Sequence, residues 1–456
     1  MEIQVKDTDV KNQNAHVCPE SGEKFALRGA IPGEKERSLK EGTLRGEKET
    51  SRKDGKEGTL RGEKEPSLVF LYAGQGSQHV GMGLDFYETF EGYRDWIDSL
   101  EKLELGVDLR RLMHEGPLEE LSQTQNTQAC MAAFAAGVTM LLAESGIIPS
   151  AACGLSLGEY GALYSAGVFE AEDYVRIVAF RGKAMMEAAK GQKCSMSAVL
   201  GLDGSKVKEI CQAYVCSHAD RPASEDPCEK AQIPEPQNGY YVTATNFNCP
   251  GQTVICGDES AVTEVETILK ANGAKRCVRL NVSGPFHTKY MKLAGDTLRG
   301  YLEGVEFKNP RIPVALNVTG SLWENLPWEG EEAGDACRIL SPLPDRREIS
   351  GRITGNENQA VSGYPAAADN KSLSLYSQPD VIKDLLKQQV QTGVRLEEDL
   401  TALLTAGYRD FIEIGPGNAM AGFLKKTAKK LGLSVRVQSI DTVEDFYKVT
   451  GAEKSV

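Results

Sequence analysis

A serine, a histidine and an arginine (Ser156, His287 and Arg181) each stand in the local sequence that nucleophilic chemistry would need. The serine is the most legible. Gly154-Leu155-Ser156-Leu157-Gly158 is a GxSxG pentapeptide, with small apolar residues Ala152-Cys153 before it and a helical pattern, Glu159-Tyr160-Gly161-Ala162-Leu163, after it. Strand, sharp turn and helix form the setting in which GxSxG makes a nucleophile elbow. The glycines permit the turn, the hydroxyl projects from its tip, and the helix N-terminus faces developing negative charge. Alone, the pentapeptide reads more often as a Gly/Ser turn before a helix, so its neighbours must decide.

The chain that positions these residues has 456 residues, enough for a large domain with an insert or appendage and a sizeable core. A net charge of −13, without a dense basic tract interleaved with aromatics, argues against nucleic-acid binding. No apolar run is long enough to span a bilayer, so no membrane role is expected. Met1–Asp7 lacks an apolar signal core and fits a transit peptide poorly. Eleven cysteines occur without CxxC or CxxH pairs, several of them (Cys130, Cys153, Cys256) inside apolar segments. That usage points to reduced thiols and a cytoplasmic location. Five histidines without ligand spacing give no expectation of a metal site.

Residues 1–66 read as a disordered charged tail, in which Lys40–Glu49 recurs unchanged as Lys56–Glu65. Leu68–Tyr72 reads as a buried strand leading into the Gly-rich loop Ala73-Gly74-Gln75-Gly76-Ser77-Gln78. Thr127–Ala143 and Val175–Ala189 read as helices, the second carrying Arg181 and Met185 on one face. Between Ser195 and Val282 the rhythm becomes βαββαβ, a ferredoxin-like unit: strands Met196–Leu200, Tyr241–Asn246, Thr253–Cys256 and Lys275–Val282, helices Ser205–Tyr214 and Ser260–Ala271. Cys216–Asn238 and Trp323–Asp380 read as loose surface inserts. Helices are expected at Val381–Val390, Leu396–Ala406 and Met420–Leu431, with a strand at Phe411–Ile414.

Six motifs stand in one order: Gly74-Gln75-Gly76-Ser77-Gln78, the GxSxG with Glu159-Tyr160, Arg181-Gly182-Lys183, Asn246-Phe247-Asn248-Cys249-Pro250-Gly251-Gln252, Gly284-Pro285-Phe286-His287 and Glu413-Ile414-Gly415-Pro416-Gly417. Together they closely resemble the malonyl-CoA:acyl carrier protein transacylases, over about Ser67 to Asp441 apart from the two inserts. The resemblance implies an α/β fold: an α/β-hydrolase-like large domain (67–192 and 284–456) with an inserted ferredoxin-like small domain (193–283). It implies a reaction in which Ser156 takes malonyl from malonyl-CoA and an acyl carrier protein thiol takes it from Ser156. No metal or bound cofactor is called for, the CoA thioester being the substrate.

Parking the acyl group on an enzyme splits one thiol-to-thiol exchange into two steps. By resemblance His287 is the base that activates Ser156. Where the Ser-His-Asp scheme uses a carboxylate to orient the histidine, this family uses a Gln carbonyl or a backbone carbonyl. Gln389 is the best match, with Gln388 and Gln391 as slipped alternatives. The oxyanion donors are the amides of Leu157 and Gln75, each such donor being worth about 3–4 kcal/mol in the transition state. Arg181 can bind the malonyl carboxylate through two parallel charge-assisted hydrogen bonds, a geometry lysine does not reproduce. Met185 either lines that pocket or packs in the core; Gln128 is a pocket residue or a helix cap; Phe286 matches the malonyl-selecting form of its motif.

Two departures are local: Ala73 replaces a usual Pro, and Leu155 stands where many members have His. Lys425, Lys426, Lys429, Lys430 and Arg436 form either a steering patch for an acidic carrier protein or a solvated helix face. Alternatives are a polyketide-pathway acyltransferase, a GxSxG thioesterase or hydrolase, and a catalytically silent scaffold.

Overall fold

Among the described residues ten strands carry the fold: β1 (Leu68–Tyr72), β2 (Ala151–Gly154), β3 (Cys194–Leu200), β4 (Val242–Cys249), β5 (Gln252–Asp258), β6 (Arg276–Leu280), β7 (Val314–Leu316), β8 (Ser321–Trp323), β9 (Asp410–Ile414) and β10 (Arg436–Ile440). They belong to a computed structural model that describes residues 68–218, 239–280, 284–323 and 378–452, all within one unit, Glu63–Val456. The expected charged tail and most of both expected inserts lie outside the described residues. The fold is mixed α/β, with one largely parallel sheet and a separate antiparallel one.

The large sheet has the order β10-β9-β1-β2-β7-β8, parallel except for the β7–β8 pair. A central parallel strand is covered on both faces, which is why Leu68-Val69-Phe70-Leu71-Tyr72 is apolar throughout. Alternation then splits it: Phe70 and Tyr72 join one core with Phe86 and Phe134, while Val69 and Leu71 join another with Leu400 and Leu424. β2 is built of Ala, Ala, Cys and Gly, all buried. The helix Thr124–Glu144 packs on the helix Ala171–Ala189 and, beyond its polar start Thr124-Gln125-Asn126-Thr127-Gln128, is largely apolar around its circumference. It alone among the described helices is long and apolar enough to cross a membrane, and it is mostly buried in the core.

The second sheet has the order β4-β5-β3-β6, antiparallel throughout, with the helices Gly204–Ser217 and Glu259–Ala271 completing the expected βαββαβ order. One face of this sheet packs on its own helices through Val199, Ile255, Val207 and Val265. Met196, Ala198, Val254 and Cys256 look the other way and enter the main core.

The insert boundaries need correction. The helix beginning at Gly204 runs through Cys216 to Ser217, because its apolar face (Val207, Ile210, Cys211, Tyr214, Val215) continues that far. Trp323 closes β8 instead of opening a loop, and the next helix starts at Gln378, with Pro379 tolerated in its first turn.

The turn after β2 is fixed by close approach. A Cβ on Gly154 would lie 2.0 Å from the carbonyl carbon and oxygen of Gly158, and one on Gly158 would lie 2.3 Å from the Tyr72 carbonyl oxygen. Because these neighbours are backbone, Gly154→Ala should lower the unfolding free energy by about 3 kcal/mol, measured by urea denaturation. A loss below about 0.5 kcal/mol would mean that the turn can shift to make room.

Candidate active site

Leaving β2, the chain places Ser156 at φ 56°, a left-handed conformation that costs an L-residue about 1–3 kcal/mol. The Ser156 amide donates to Asn317 Oδ1 at 2.8 Å, and the helix Gly158–Ser165 starts immediately afterwards. This is the strand, strained serine and helix expected of a nucleophile elbow.

His287 also has a left-handed backbone, at φ 60°. Its Nε2 lies 2.8 Å from Ser156 Oγ and its Nδ1 lies 2.8 Å from the backbone carbonyl oxygen of Gln389. A carbonyl can only accept, so Nδ1 carries the proton and Nε2 is free to take one from the serine. Burial, and then the nearby Arg181 cation, push the His287 pKa down to about 4. The imidazole is therefore neutral at pH 7 and competent as a base.

Arg181 comes from the helix Ala171–Ala189 and is fully buried. Its Nη1 donates to Gln128 Oε1 at 2.8 Å; its Nη2 donates to Gln389 Oε1 at 2.9 Å and to Ser156 Oγ at 3.0 Å. The guanidinium lies 5.4 Å from the centre of the Tyr160 ring. Among the described residues no carboxylate forms an ion pair with it, and its Nε has no hydrogen-bond acceptor. Burial pulls its pKa down from the usual arginine range. A desolvated cation held by neutral acceptors is a receptor for an anion.

The structure thus joins Ser156, His287, Arg181, Gln128 and Gln389 in one hydrogen-bonded group. Of the three glutamines proposed at 388–391, Gln389 makes the contact, through its backbone carbonyl; its side chain instead binds Arg181 and donates from Nε2 to the Ser156 carbonyl at 2.7 Å. Gln128 is not a cap, since it lies inside the helix, whose N-cap position is Gln123. Its Nε2 lies 3.5 Å from Met185 Sδ, which puts Met185 beside the arginine as well as in the core. Phe286 is buried in the main core, next to His287 in the chain. The amides of Leu157 and Gln75 have no acceptor among the described residues, as oxyanion donors require. Gln75 is steadied by its side chain, which donates to Thr124 Oγ1 at 3.2 Å. Gly74, beside it, is held close to the elbow: a Cβ there would sit 2.8 Å from the Leu155 carbonyl oxygen. No group of His, Cys, Asp and Glu among the described residues is arranged to hold a metal ion.

Sequence reasoning missed Asn317 and Asp399 and gave Glu159 no role beyond its place in the elbow motif; all three are fully buried beneath the serine. One signal was available: a polar residue directly after the apolar run Val314-Ala315-Leu316.

Residues 69–222 match the acyl transferase domain family. The chain is 31% identical over 377 residues to the malonyl CoA-acyl carrier protein transacylase of Bacillus subtilis, covering 83% of this chain and 95% of that protein. It is 30% identical to the protein of the same name from a Staphylococcus aureus strain, covering 83% and 96%. Solved structures similar to it include the Streptococcus pneumoniae MCAT (30% identity, TM-score 0.62, 84% of this chain and 99% of that one). Another is a malonyl-transacylase in complex with its type II polyketide acyl carrier protein (27% identity, TM-score 0.63, 84% and 99%).

The depressed His287 pKa gives a direct test. Labelling of Ser156 by a fluorophosphonate reagent should hold its rate from pH 8 down to pH 5 and fall to half near pH 4. Loss of rate with a midpoint at the ordinary histidine value of about 6.5 would mean that the imidazole is not buried as described.

Proposed function

The chain belongs to the malonyl-CoA:acyl carrier protein transacylase family, and we infer from its site that it carries malonyl from CoA to a carrier protein by way of Ser156. The observation that carries this reading is the buried Arg181, whose guanidinium lies 3.0 Å from the serine hydroxyl and has no carboxylate partner among the described residues. An acyl group ending in a carboxylate supplies that partner as its thioester carbonyl reaches the nucleophile.

In the first half-reaction Ser156 Oγ attacks the thioester carbonyl while His287 Nε2 takes its proton. The Leu157 and Gln75 amides stabilise the oxyanion. The intermediate collapses, the bond from carbonyl carbon to sulfur breaks, and CoA leaves as a thiol with the proton from His287. The second half reverses this with the pantetheine thiol of an acyl carrier protein as attacker, which regenerates Ser156. Gln389 orients the imidazole throughout, and Gln128 and Met185 shape the space around Arg181. Nucleophile, base and oxyanion donors all come from the chain itself, so the proposed exchange calls for no bound metal or cofactor.

We read the large body (67–192 and 284–456) as α/β-hydrolase-like, supported by the strand, elbow and helix around Ser156. The unit 193–283 is read as ferredoxin-like, supported by its βαββαβ order and the strand order β4-β5-β3-β6. The cytoplasm is proposed as its place, from the buried, unpaired Cys130, Cys153 and Cys256. Fatty-acid synthesis is the primary reading; a polyketide carrier protein is a second, favoured by the structural similarity to a transacylase bound to one.

Intact-mass spectrometry should show a malonyl adduct with the wild type and none with Ser156→Ala, and the adduct should pass to added holo carrier protein. Loss of the adduct to water regardless of carrier would make the protein a hydrolase. Arg181→Ala should cut kcat/KM for malonyl-CoA by about a hundredfold or more, two charge-assisted hydrogen bonds being lost, while Ser156 stays acylable by acetyl-CoA. Undiminished malonyl preference would overturn the assignment of Arg181.

A further inference from the structure

Beneath the elbow, Asn317 uses every hydrogen-bonding atom of its side chain and both of its backbone groups. Its Oδ1 accepts from the Ser156 amide at 2.8 Å. Its Nδ2 donates to the Gly154 carbonyl at 2.8 Å and to Asp399 Oδ2 at 2.9 Å. Its backbone amide donates to Glu159 Oε2 at 2.9 Å, and its carbonyl accepts from the Arg395 amide at 2.9 Å. Asn317, Glu159 and Asp399 are all 0% exposed. The side chain therefore spans the elbow, gripping the carbonyl before it and the amide of the nucleophile itself, and is anchored to Asp399, while its backbone is held by Glu159 and Arg395.

Burying two carboxyls beside one amide is costly, and a core that needed only to fill this space would use apolar groups. Glu159 Oε1 and Asp399 Oδ1 have no partner among the described residues, so the pair is not arranged for its own stability. Burial pushes Glu159 up to about 7 and Asp399 well above the usual carboxylate range. What the arrangement does supply is a rigid acceptor at the point where a left-handed serine must be held. We propose that Asn317, anchored by Asp399 and Glu159, is a positioning residue for the nucleophile: it fixes the Ser156 backbone so that Oγ meets His287 Nε2, and it contributes nothing to holding the acyl group. This rests on the reading of Ser156 as nucleophile.

The separation between reactivity and binding tests it. Asn317→Ala should slow acylation of Ser156 about a hundredfold, both by malonyl-CoA and by a fluorophosphonate carrying no malonyl group. The Kd for malonyl-CoA, measured in a Ser156→Ala background, should change less than threefold. A purely structural role would lower the unfolding midpoint without this split. Wild-type labelling rates in folded Asn317→Ala would overturn the proposal, as would an equal loss of malonyl-CoA binding. Because the fluorophosphonate arm needs no malonyl transfer, it stands even if the substrate reading fails.

Should the alanine variant not fold, Asn317→Asp decides. The new carboxyl would face Asp399 and Glu159, with Glu398 and Arg395 close to Asp399 and Arg181 close to Glu159. Only when protonated can it both accept from Ser156 and donate, and then once where the amide donates twice. Its labelling rate relative to wild type should rise at least tenfold from pH 8 to pH 5.5; a flat ratio would overturn the proposal.

Discussion

A guanidinium withdrawn from water without a carboxylate ion-paired to it among the described residues is the constraint on which the rest of this site depends. Desolvating an ion costs several kcal/mol, and an ion pair within the protein would normally offset it. Arg181 is held instead by the side-chain oxygens of Gln128 and Gln389, by the Ser156 hydroxyl and by the face of Tyr160. Neutral acceptors satisfy geometry, and the nearby Glu159, whose carboxyl burial pushes up to about 7, answers the charge only in part. The field of that charge falls on His287 and, together with burial, keeps the imidazole unprotonated. On the proposed reading the same cation attracts an anionic acyl group, and it adds to the burial that keeps the base neutral.

The segment from Gln389 to Arg395 brings these parts into register. Gln389 supplies the carbonyl for His287 Nδ1 and the side chain for Arg181 and Ser156; the Val390 carbonyl accepts from the His287 amide. Val394 then exchanges backbone bonds with Thr245 and Phe247 of β4 as an added parallel bridge. Arg395 donates from its amide to Asn317. One short stretch of backbone therefore ties the small sheet, the base and the support beneath the nucleophile together. Backbone hydrogen bonds suit this task because they tolerate little displacement, and the reacting atoms must meet within tenths of an ångström.

What the sequence made legible follows from how local each feature is. Leu68–Tyr72 is read to the residue because a strand buried on both faces is apolar without interruption. The elbow is legible because strand, glycines, serine and helix are contiguous, although the glycines prove necessary for close backbone approach and the positive φ falls on Ser156 itself. Asn317 was not legible, since its partners at Gly154, Ser156, Glu159 and Asp399 come from distant parts of the chain. The basic cluster shows the same limit. Lys430 pairs with Glu397, Arg436 with Asp410, and Lys426 bonds Gln252. Carboxylates that sequence spacing cannot place therefore neutralise part of what looked like a free patch.

The choice of an amide and a backbone carbonyl over a carboxylate at position 389 follows from these terms together. A carboxylate reaching both His287 and Arg181 would orient the imidazole well, and by pairing with its protonated form would raise its pKa. It would also close a bidentate ion pair with the guanidinium only 3.0 Å from the nucleophile and so occupy the donors meant for substrate. The carbonyl orients the histidine without adding charge, and the neutral Gln389 side chain can yield its place on Arg181 to a carboxylate at small cost. A less basic imidazole is a weaker proton acceptor, but it is also a better acid towards the departing thiolate. In an exchange between two thioesters of similar energy, the same group must serve in both directions. On the proposed reading a neutral orienter keeps Arg181 open to an anionic acyl group and suits the imidazole to both directions, while the reversibility itself follows from the similar energies of the two thioesters.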